Sequence, residues 1–368
     1  MGDQPRAYAT VSTVSLERLS ILLVEDNLYI RDILESVLKQ LGFGWVATAR
    51  NGQEAIEFLQ IAGKTSGQAA GLMNVDMILC DLLMSPINGL LLLRWVRMQK
   101  ESANRFIPFI MISGAADKEY VEAARDLGVT EFVAKPFSAQ SILDRVMKVI
   151  EHPRQFVTCS SYFGPDRRRK AGMPPGGAEE RRRPGDSHAT VVYSADKVVK
   201  PKNASDVWYF RLPNALREKV GGAGIKGPLQ LPKTLLEEAE STLQRQALDF
   251  ADWAKNYLTK LSKVTEAAML NPNNRRNHFQ EMNMVAHELR GQGGTFGYPL
   301  ITVFAKSLYE ATLPGCPEDD NALSVVKAHT DAMRAVIRDR VSGDGGEIGR
   351  ELLKSLKYAI DRAGQRTV

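Results

Sequence analysis

Ile21-Leu22-Leu23-Val24-Glu25-Asp26 carries four apolar residues straight into two acids. A short continuous apolar run of this kind reads as a strand buried on both faces. Behind it Ile30, Ile33, Leu34, Val37, Leu38 and Leu41 keep helical spacing until Gly42 supplies a stop. The alternation then repeats. Strands are predicted at Trp45–Ala49, Met77–Cys80, Phe109–Ile112 and Phe132–Val133, and helices at Gln53–Leu59, Gly89–Met98, Asp117–Leu127 and Ser138–Ile150. Five strand–helix units with buried strands predict a doubly wound α/β domain with a five-stranded parallel sheet over residues 18–151. Such a sheet gathers its ligands beyond the carboxyl ends of its strands.

That edge is chemically distinctive. Glu25 and Asp26 end the first strand, Asp81 the third and Ser113 the fourth, and Lys135 follows the fifth. Three carboxylates converging on one edge repel each other and call for a hard divalent cation with oxygen ligands, most naturally Mg²⁺. The Lys135 ammonium and the Ser113 hydroxyl would complete a cradle for a phosphoryl group. In-line phosphoryl transfer needs mainly positioning and charge neutralisation. The nucleophile would be a carboxylate oxygen of Asp81, giving an acyl phosphate.

This constellation resembles the receiver domain of bacterial response regulators, a flavodoxin-like fold. The resemblance runs from about Leu19 to Ile150. It rests on Leu23-Val24-Glu25-Asp26-Asn27, on Asp81 with Met84 and Gly89 behind it, on Ile112-Ser113-Gly114-Ala115 and on Ala134-Lys135-Pro136-Phe137. It implies that Asp81 is the phosphoacceptor and that Glu25, Asp26, Asp81 and the carbonyl of Leu83 serve the Mg²⁺. It implies Ser113 as the switch hydroxyl, Lys135 as the phosphate contact and Phe132 as the aromatic that moves with them. The family usually carries Pro four residues after the phosphorylated Asp; here that place is Ser85, with Pro86 next. A slightly altered loop with intact chemistry is expected.

The whole chain has 368 residues, roughly two or three domains at about 150 residues each. Apolar residues make up 44% and charged residues 25%, which excludes a wholly disordered chain. Cys80, Cys159 and Cys316 are too far apart for a disulfide framework or a zinc ribbon, so a reducing cytoplasm is the expected setting. No apolar run reaches the roughly 18 residues of a membrane span, and residues 1–17 hold no secretory core, so membrane insertion is not expected. Much of the net charge of +5 sits in Arg167-Arg168-Arg169-Lys170 and Arg181-Arg182-Arg183. The neighbouring acids Asp166, Glu179 and Glu180, and the lack of a helix-turn-helix pattern, argue against a nucleic-acid partner.

Residues 1–17 read as an extension and 152–190, rich in Pro, Gly and Arg, as a flexible basic linker. Within 191–231, a connecting segment, Val191–Tyr193 and Val207–Phe210 read either as short strands or as docking anchors. Pro213–Gly222 reads as a compact stretch packing against the C-terminal helices. From Lys233 the pattern turns helical. Leu236, Leu243, Phe250 and Tyr257 recur every seven residues along one long helix, Lys233–Thr265. Further helices at about Arg276–Gly297, Pro299–Thr312 and Asp319–Arg340 make 232–341 an all-α bundle. A C-terminal helix fills 342–368, at about Glu347–Asp361.

The second bundle helix contains Ala286-His287-Glu288-Leu289-Arg290-Gly291-Gln292-Gly293-Gly294-Thr295-Phe296-Gly297. Each glycine inside a helix costs about 1 kcal/mol against alanine. Gly291 and Gly294 would stand on the face of His287 and leave its imidazole open to another protein, with Arg290 adding positive charge. Close packing of two helices is the competing account of these glycines. His152, His188, His278 and His329 have no such neighbours and read as bland surface residues. The His287 stretch, with Leu308, Tyr309 and Glu310, resembles a histidine phosphotransfer domain over about Leu235–Val341, with Arg290 where the family commonly has Lys. The resemblance implies that His287 exchanges phosphoryl with a receiver aspartate. There is no P-loop and no kinase-type nucleotide box, so phosphohistidine made from ATP is not expected.

The two resemblances together imply a phosphorelay protein. A sensor histidine kinase or a phosphotransfer protein would load Asp81, and a receiver, its own or a downstream protein's, would exchange phosphoryl with His287. The alternative is a phosphorylation-switched regulator whose bundle binds a protein without carrying phosphate.

Overall fold

The computed structural model describes residues 12–64, 74–113, 118–167, 189–195, 201, 206–225, 227–294 and 296–365. Gly114, Ala115, His188 and the basic runs 168–170 and 181–183 lie outside the described residues. The chain forms two compact units, Met1–Leu243 and Gln244–Val368.

The first unit is built on the expected sheet. After β1 (Ser12–Thr13) come β2 (Ser20–Val24), α1 (Leu28–Gln40), β3 (Trp45–Ala49), α2 (Gly52–Lys64), β4 (Met77–Asp81), α3 (Gly89–Met98), β5 (Phe109–Ser113), α4 (Lys118–Leu127), β6 (Glu131–Ala134) and α5 (Ala139–Glu151). The five strands pair in parallel in the order β3-β2-β4-β5-β6. Every residue of β4 and β5 is buried, as helices on both faces of a sheet require. Asn27, Asn88 and Ser138 cap α1, α3 and α5 with their side-chain oxygens, so these helices start at fixed points just past the strand ends.

Three sequence readings are corrected in this unit. The end of the 1–17 extension is not separate: Val14 and Leu16 are buried, and β1 pairs in parallel with β11 (Leu229–Gln230). The linker reading fails for residues 156–165, which form β7 (Phe156–Thr158) and β8 (Phe163–Pro165). With β9 (Ala189–Val192) and β10 (Val207–Phe210) they make a second sheet in the order β8-β7-β10-β9, so the strand alternative holds for both later runs. Composition missed β7 and β8 because each is three residues long and their core comes from distant sequence. Phe106, Phe156, Phe163 and Phe210 pack ring to ring at centroid distances of 4.9–6.0 Å.

Buried Arg97 borders this aromatic group, its guanidinium 5.2 Å from the Phe156 ring. It donates to the carbonyls of Gly128 (3.0 Å) and Arg105 (2.7 Å). Burial pushes its pKa down to about 9. Third, Pro213–Gly222, read as packing against the C-terminal helices, makes its contacts to Ile150 and Asp76 within the first unit. Asn214 caps α6 (Ala215–Lys219) and donates to the Ile150 carbonyl at 2.7 Å, while Lys219 lies 2.6 Å from Asp76.

The helical region is α7 (Lys233–Leu270), α8 (Arg275–Gln292), α9 (Pro299–Ala311), α10 (Asp320–Arg338) and α11 (Gly346–Gln365). The start of α7 belongs to the first unit. There Glu240 accepts the Ala139 amide (2.9 Å) and Thr242 accepts from Gln40 (2.8 Å). The second unit buries Phe250 of the predicted seam but leaves Tyr257 half-buried; the buried face of α7 runs on through Ala254, Leu258 and Leu261, together with Phe279, Met282, Leu289, Phe304, Leu308, Leu323 and Met333. Two histidine readings change character. His329 is a core residue, held between the Val325 carbonyl (2.8 Å) and the Ser307 hydroxyl (2.9 Å), and burial pushes its pKa down. His278 is half-buried.

Because Phe163 is 1% exposed at the centre of the small aromatic core, Phe163→Ala is expected to destabilise the first unit by about 3–5 kcal/mol in urea unfolding. A loss below about 1 kcal/mol would show that the hairpin does not contribute to that unit's core.

Candidate functional site

The carboxyl edge of the large sheet brings the expected groups together. Glu25 follows β2, and its amide pairs with the Ala49 carbonyl of β3 (3.1 Å). Its Oε1 accepts the Asn27 amide at 3.2 Å, and Arg31 holds its carbonyl at 2.9 Å. Asp81 is the last residue of β4, in register with Ile112 of β5. Gly89 explains how the chain passes it, since a Cβ there would lie 2.5 Å from the Asp81 carbonyl oxygen. Lys135 follows β6, and its amide donates to the Ser113 carbonyl at 2.7 Å.

The side chains converge. Lys135 Nζ lies 2.8 Å from Asp81 Oδ1 and 4.0 Å from Glu25 Oε2. Ligand oxygens of Glu25, Asp26 and Asp81 all lie within 4.8 Å of one another, a grouping met nowhere else among the described residues. Ser113 is buried at the end of β5, Leu83 is half-buried just beyond Asp81, and Phe132 of β6 packs against the core beneath.

Crowding sets the electrostatics. Burial, and then the neighbouring charge of Asp81, raise the Glu25 carboxyl well above its ordinary value, with Lys135 offsetting part of the rise. Burial alone would lower Lys135, but Asp81, Glu25 and Asp26 outweigh it and hold the ammonium protonated. Burial and the same acids push the Cys80 thiol up, so it is no nucleophile at neutral pH. One ammonium therefore faces three carboxyl groups, and Glu25 Oε2 is buried with no hydrogen bond. A hard cation with about six oxygen ligands fits this orphaned oxygen and its neighbours.

In the second unit His287 is half-buried on α8, and its ring centroid lies 5.8 Å from that of Tyr309 on α9. The Arg290 guanidinium sits over the same ring at 4.5 Å. A Cβ on Gly291 would meet nothing within 4 Å, so that side of the helix is open. The other glycines are not helical: α8 ends at Gln292. A Cβ on Gly293 would lie 2.7 Å from Ile301, Thr302 and Tyr298, and Gly297 turns the chain at φ +82. Both accounts of the glycines therefore apply, at different positions: Gly291 leaves room, whereas Gly293 permits close packing of α8 on α9. Sequence reasoning singled out Tyr309 but missed that its ring joins His287 and Arg290, because Tyr309 sits on another helix and no spacing rule links them.

The response regulator receiver domain family matches residues 21–147. The chemotaxis protein CheY of Pseudomonas aeruginosa is 31% identical over 133 residues, which are 36% of this chain and 97% of that protein. The chain belongs to the response regulator receiver family. CheY-3 of Vibrio cholerae is 27% identical over 135 residues, 37% of this chain and 94% of its own. A crystal structure of a response regulator receiver protein from Pseudomonas putida is 29% identical and covers 36% of this chain and 97% of its own, at a TM-score of 0.30. Receiver domains generally bind Mg²⁺ through an acidic cluster, and this domain has a Glu/Asp/Asp group at the matching edge. No helix among the described residues is long and apolar enough to cross a membrane.

In the metal-free receiver, Glu25→Gln should raise stability at pH 7, because it removes a buried charge that desolvation and the Asp81 carboxyl oppose. The sign follows from linkage. A raised folded pKa favours the protonated fold, so stability is lost as pH rises above the ordinary value of 4.5 through the folded one. The gap between variant and wild type should therefore widen with pH in urea unfolding. A constant gap, or a less stable variant, would contradict this account.

Proposed function

We propose that this chain is a two-component phosphorelay protein in which Asp81 accepts phosphoryl and His287 exchanges it with a receiver aspartate. The observation that carries the reading is the placement of Lys135 Nζ 2.8 Å from Asp81 Oδ1 beside the Glu25/Asp26/Asp81 carboxyl cluster. An Asp81 carboxylate oxygen forms the new O–P bond as the donor's bond to phosphorus breaks and the donor's leaving group departs with the electron pair. Lys135 holds a phosphoryl oxygen, and Ser113 offers its hydroxyl to another. Glu25, Asp26, Asp81 and the Leu83 carbonyl would hold Mg²⁺, which when bound supplies positive charge beside the phosphoryl oxygens. The donor is a sensor histidine kinase or a phosphotransfer protein.

His287 supports the second half of the reading through its open flank at Gly291 and the cation of Arg290 nearby. A neutral imidazole nitrogen takes phosphoryl from an acyl phosphate, whose carboxylate is the leaving group, and can return it. The partner is a receiver, either this chain's or a downstream protein's.

Phosphosite mapping after incubation with Mg²⁺ and a small acyl phosphate, handled at neutral pH, tests both halves. Wild type should carry phosphate on Asp81, and Asp81→Asn should carry none there. With a cognate kinase and receiver, His287→Gln should leave Asp81 labelling intact and abolish relay. Unchanged relay in His287→Gln would make the bundle a protein-binding module and overturn the phosphotransfer half.

A further inference from the structure

We propose that Tyr309 is a positioning residue for His287, its ring fixing the Arg290 guanidinium beside the imidazole; this rests on reading His287 as a phosphoryl carrier. An arginine side chain on an open helix face loses about 2 kcal/mol of rotamer entropy when held in one place. Something must therefore hold Arg290, and it is not an acid: no carboxylate lies within ion-pair distance of it among the described residues. Its Nε is buried without a hydrogen-bond acceptor. The group it meets is the face of Tyr309, with the guanidinium carbon 4.5 Å from the ring centroid, inside the range of cation–π attraction.

The same ring meets His287 at 5.8 Å and an interplanar angle of 55°, a tilted aromatic pair. Tyr309 is itself pinned to α8. Its carbonyl accepts Asn283 Nδ2 at 2.9 Å, and the same amide nitrogen lies 3.1 Å from Thr312 Oγ1. Asn283 stands one helical turn before His287, and Arg290 nearly one turn after it. One α9 residue thus ties α8 to α9 through its carbonyl and fixes the place of the cation through its ring.

An aromatic partner suits this role better than an acid. A carboxylate would neutralise the guanidinium and occupy its forked donors. A ring holds it by its flat face and leaves N–H groups at its edge for phosphoryl oxygens. The open side at Gly291 lets the donor approach.

The test uses phosphoramidate, a small donor that phosphorylates imidazole, on the full chain carrying Asp81→Asn as the reference protein, so that no phosphoryl reaches His287 by way of its own receiver. A His287 ring nitrogen bonds to phosphorus, the donor's P–N bond breaks, and ammonia leaves with the proton already on the donor nitrogen. Phosphohistidine at His287 is followed on the full chain by neutral-pH mass spectrometry, with helicity checked for each variant. Tyr309→Phe keeps the ring and should react within about twofold of the reference protein. Tyr309→Leu should react about tenfold more slowly, as should Arg290→Gln. Tyr309→Leu added to Arg290→Gln should cost nothing further, because the ring acts through the guanidinium. Additive losses, a Tyr309→Leu variant as fast as the reference protein, or a Tyr309→Phe variant as slow as Tyr309→Leu would each overturn the positioning role. If His287 of the reference protein takes no phosphate, the carrier reading falls and this inference with it.

Discussion

The receiver unit is organised around a repulsion it does not fully cancel. Glu25, Asp26 and Asp81 bring ligand oxygens within 4.8 Å of one another, and Lys135 is the ammonium set against them. At such distances, in a buried setting, each like-charge pair costs energy that the fold must recover from packing elsewhere. The recovery comes from β4 and β5, buried along their whole length, and from capped helices that start at fixed points behind the edge. The leftover negative charge is the chemical resource. It favours a cation, and it leaves the Asp81 carboxyl beside the Lys135 ammonium, which on our proposal would hold phosphoryl oxygens.

Much of this edge was legible in the sequence because a parallel sheet makes strand ends coincide. Once Leu22, Leu79 and Ile110 read as buried strand residues, the acids and the hydroxyl just beyond them had to share one edge. The small aromatic sheet was only half legible: its later strands were readable as an alternative, but β7 and β8 were not. Phe156 and Phe163 stand among Pro, Gly and Arg, and the residues that bury them, Phe106 and Phe210, are far away in sequence. Local pattern carries no trace of such a core. Residues 12–17 were misjudged for the same reason, since the strand that pairs with β1 comes only at Leu229.

In the helical region the seam of α7 was readable from its repeat, whereas the glycine-rich stretch was only half readable. Its composition marked something unusual near His287 but could not divide a helix stop at Gly293 from an open flank at Gly291. Tyr309 was singled out in the sequence, but that its ring meets both His287 and Arg290 was not legible, because it comes from α9. The two chemical centres also differ in kind. The receiver edge concentrates negative charge and buries it; the bundle centre sets an imidazole and a guanidinium against one aromatic ring and leaves a side of α8 open. On the proposed reading a phosphoryl group would visit both, as an acyl phosphate at the first and a phosphoimidazole at the second.

The central claim is that Asp81 is the phosphoacceptor of a cation-assisted site. Beryllofluoride, which binds an aspartate oxygen as an acyl-phosphate mimic, tests it without any donor chemistry. Fluorine NMR of the full chain should show a bound signal with Mg²⁺, no bound signal once Mg²⁺ is chelated, and none in Asp81→Asn. A bound signal that persists in Asp81→Asn, or wild type that shows none with Mg²⁺ present, would contradict the account.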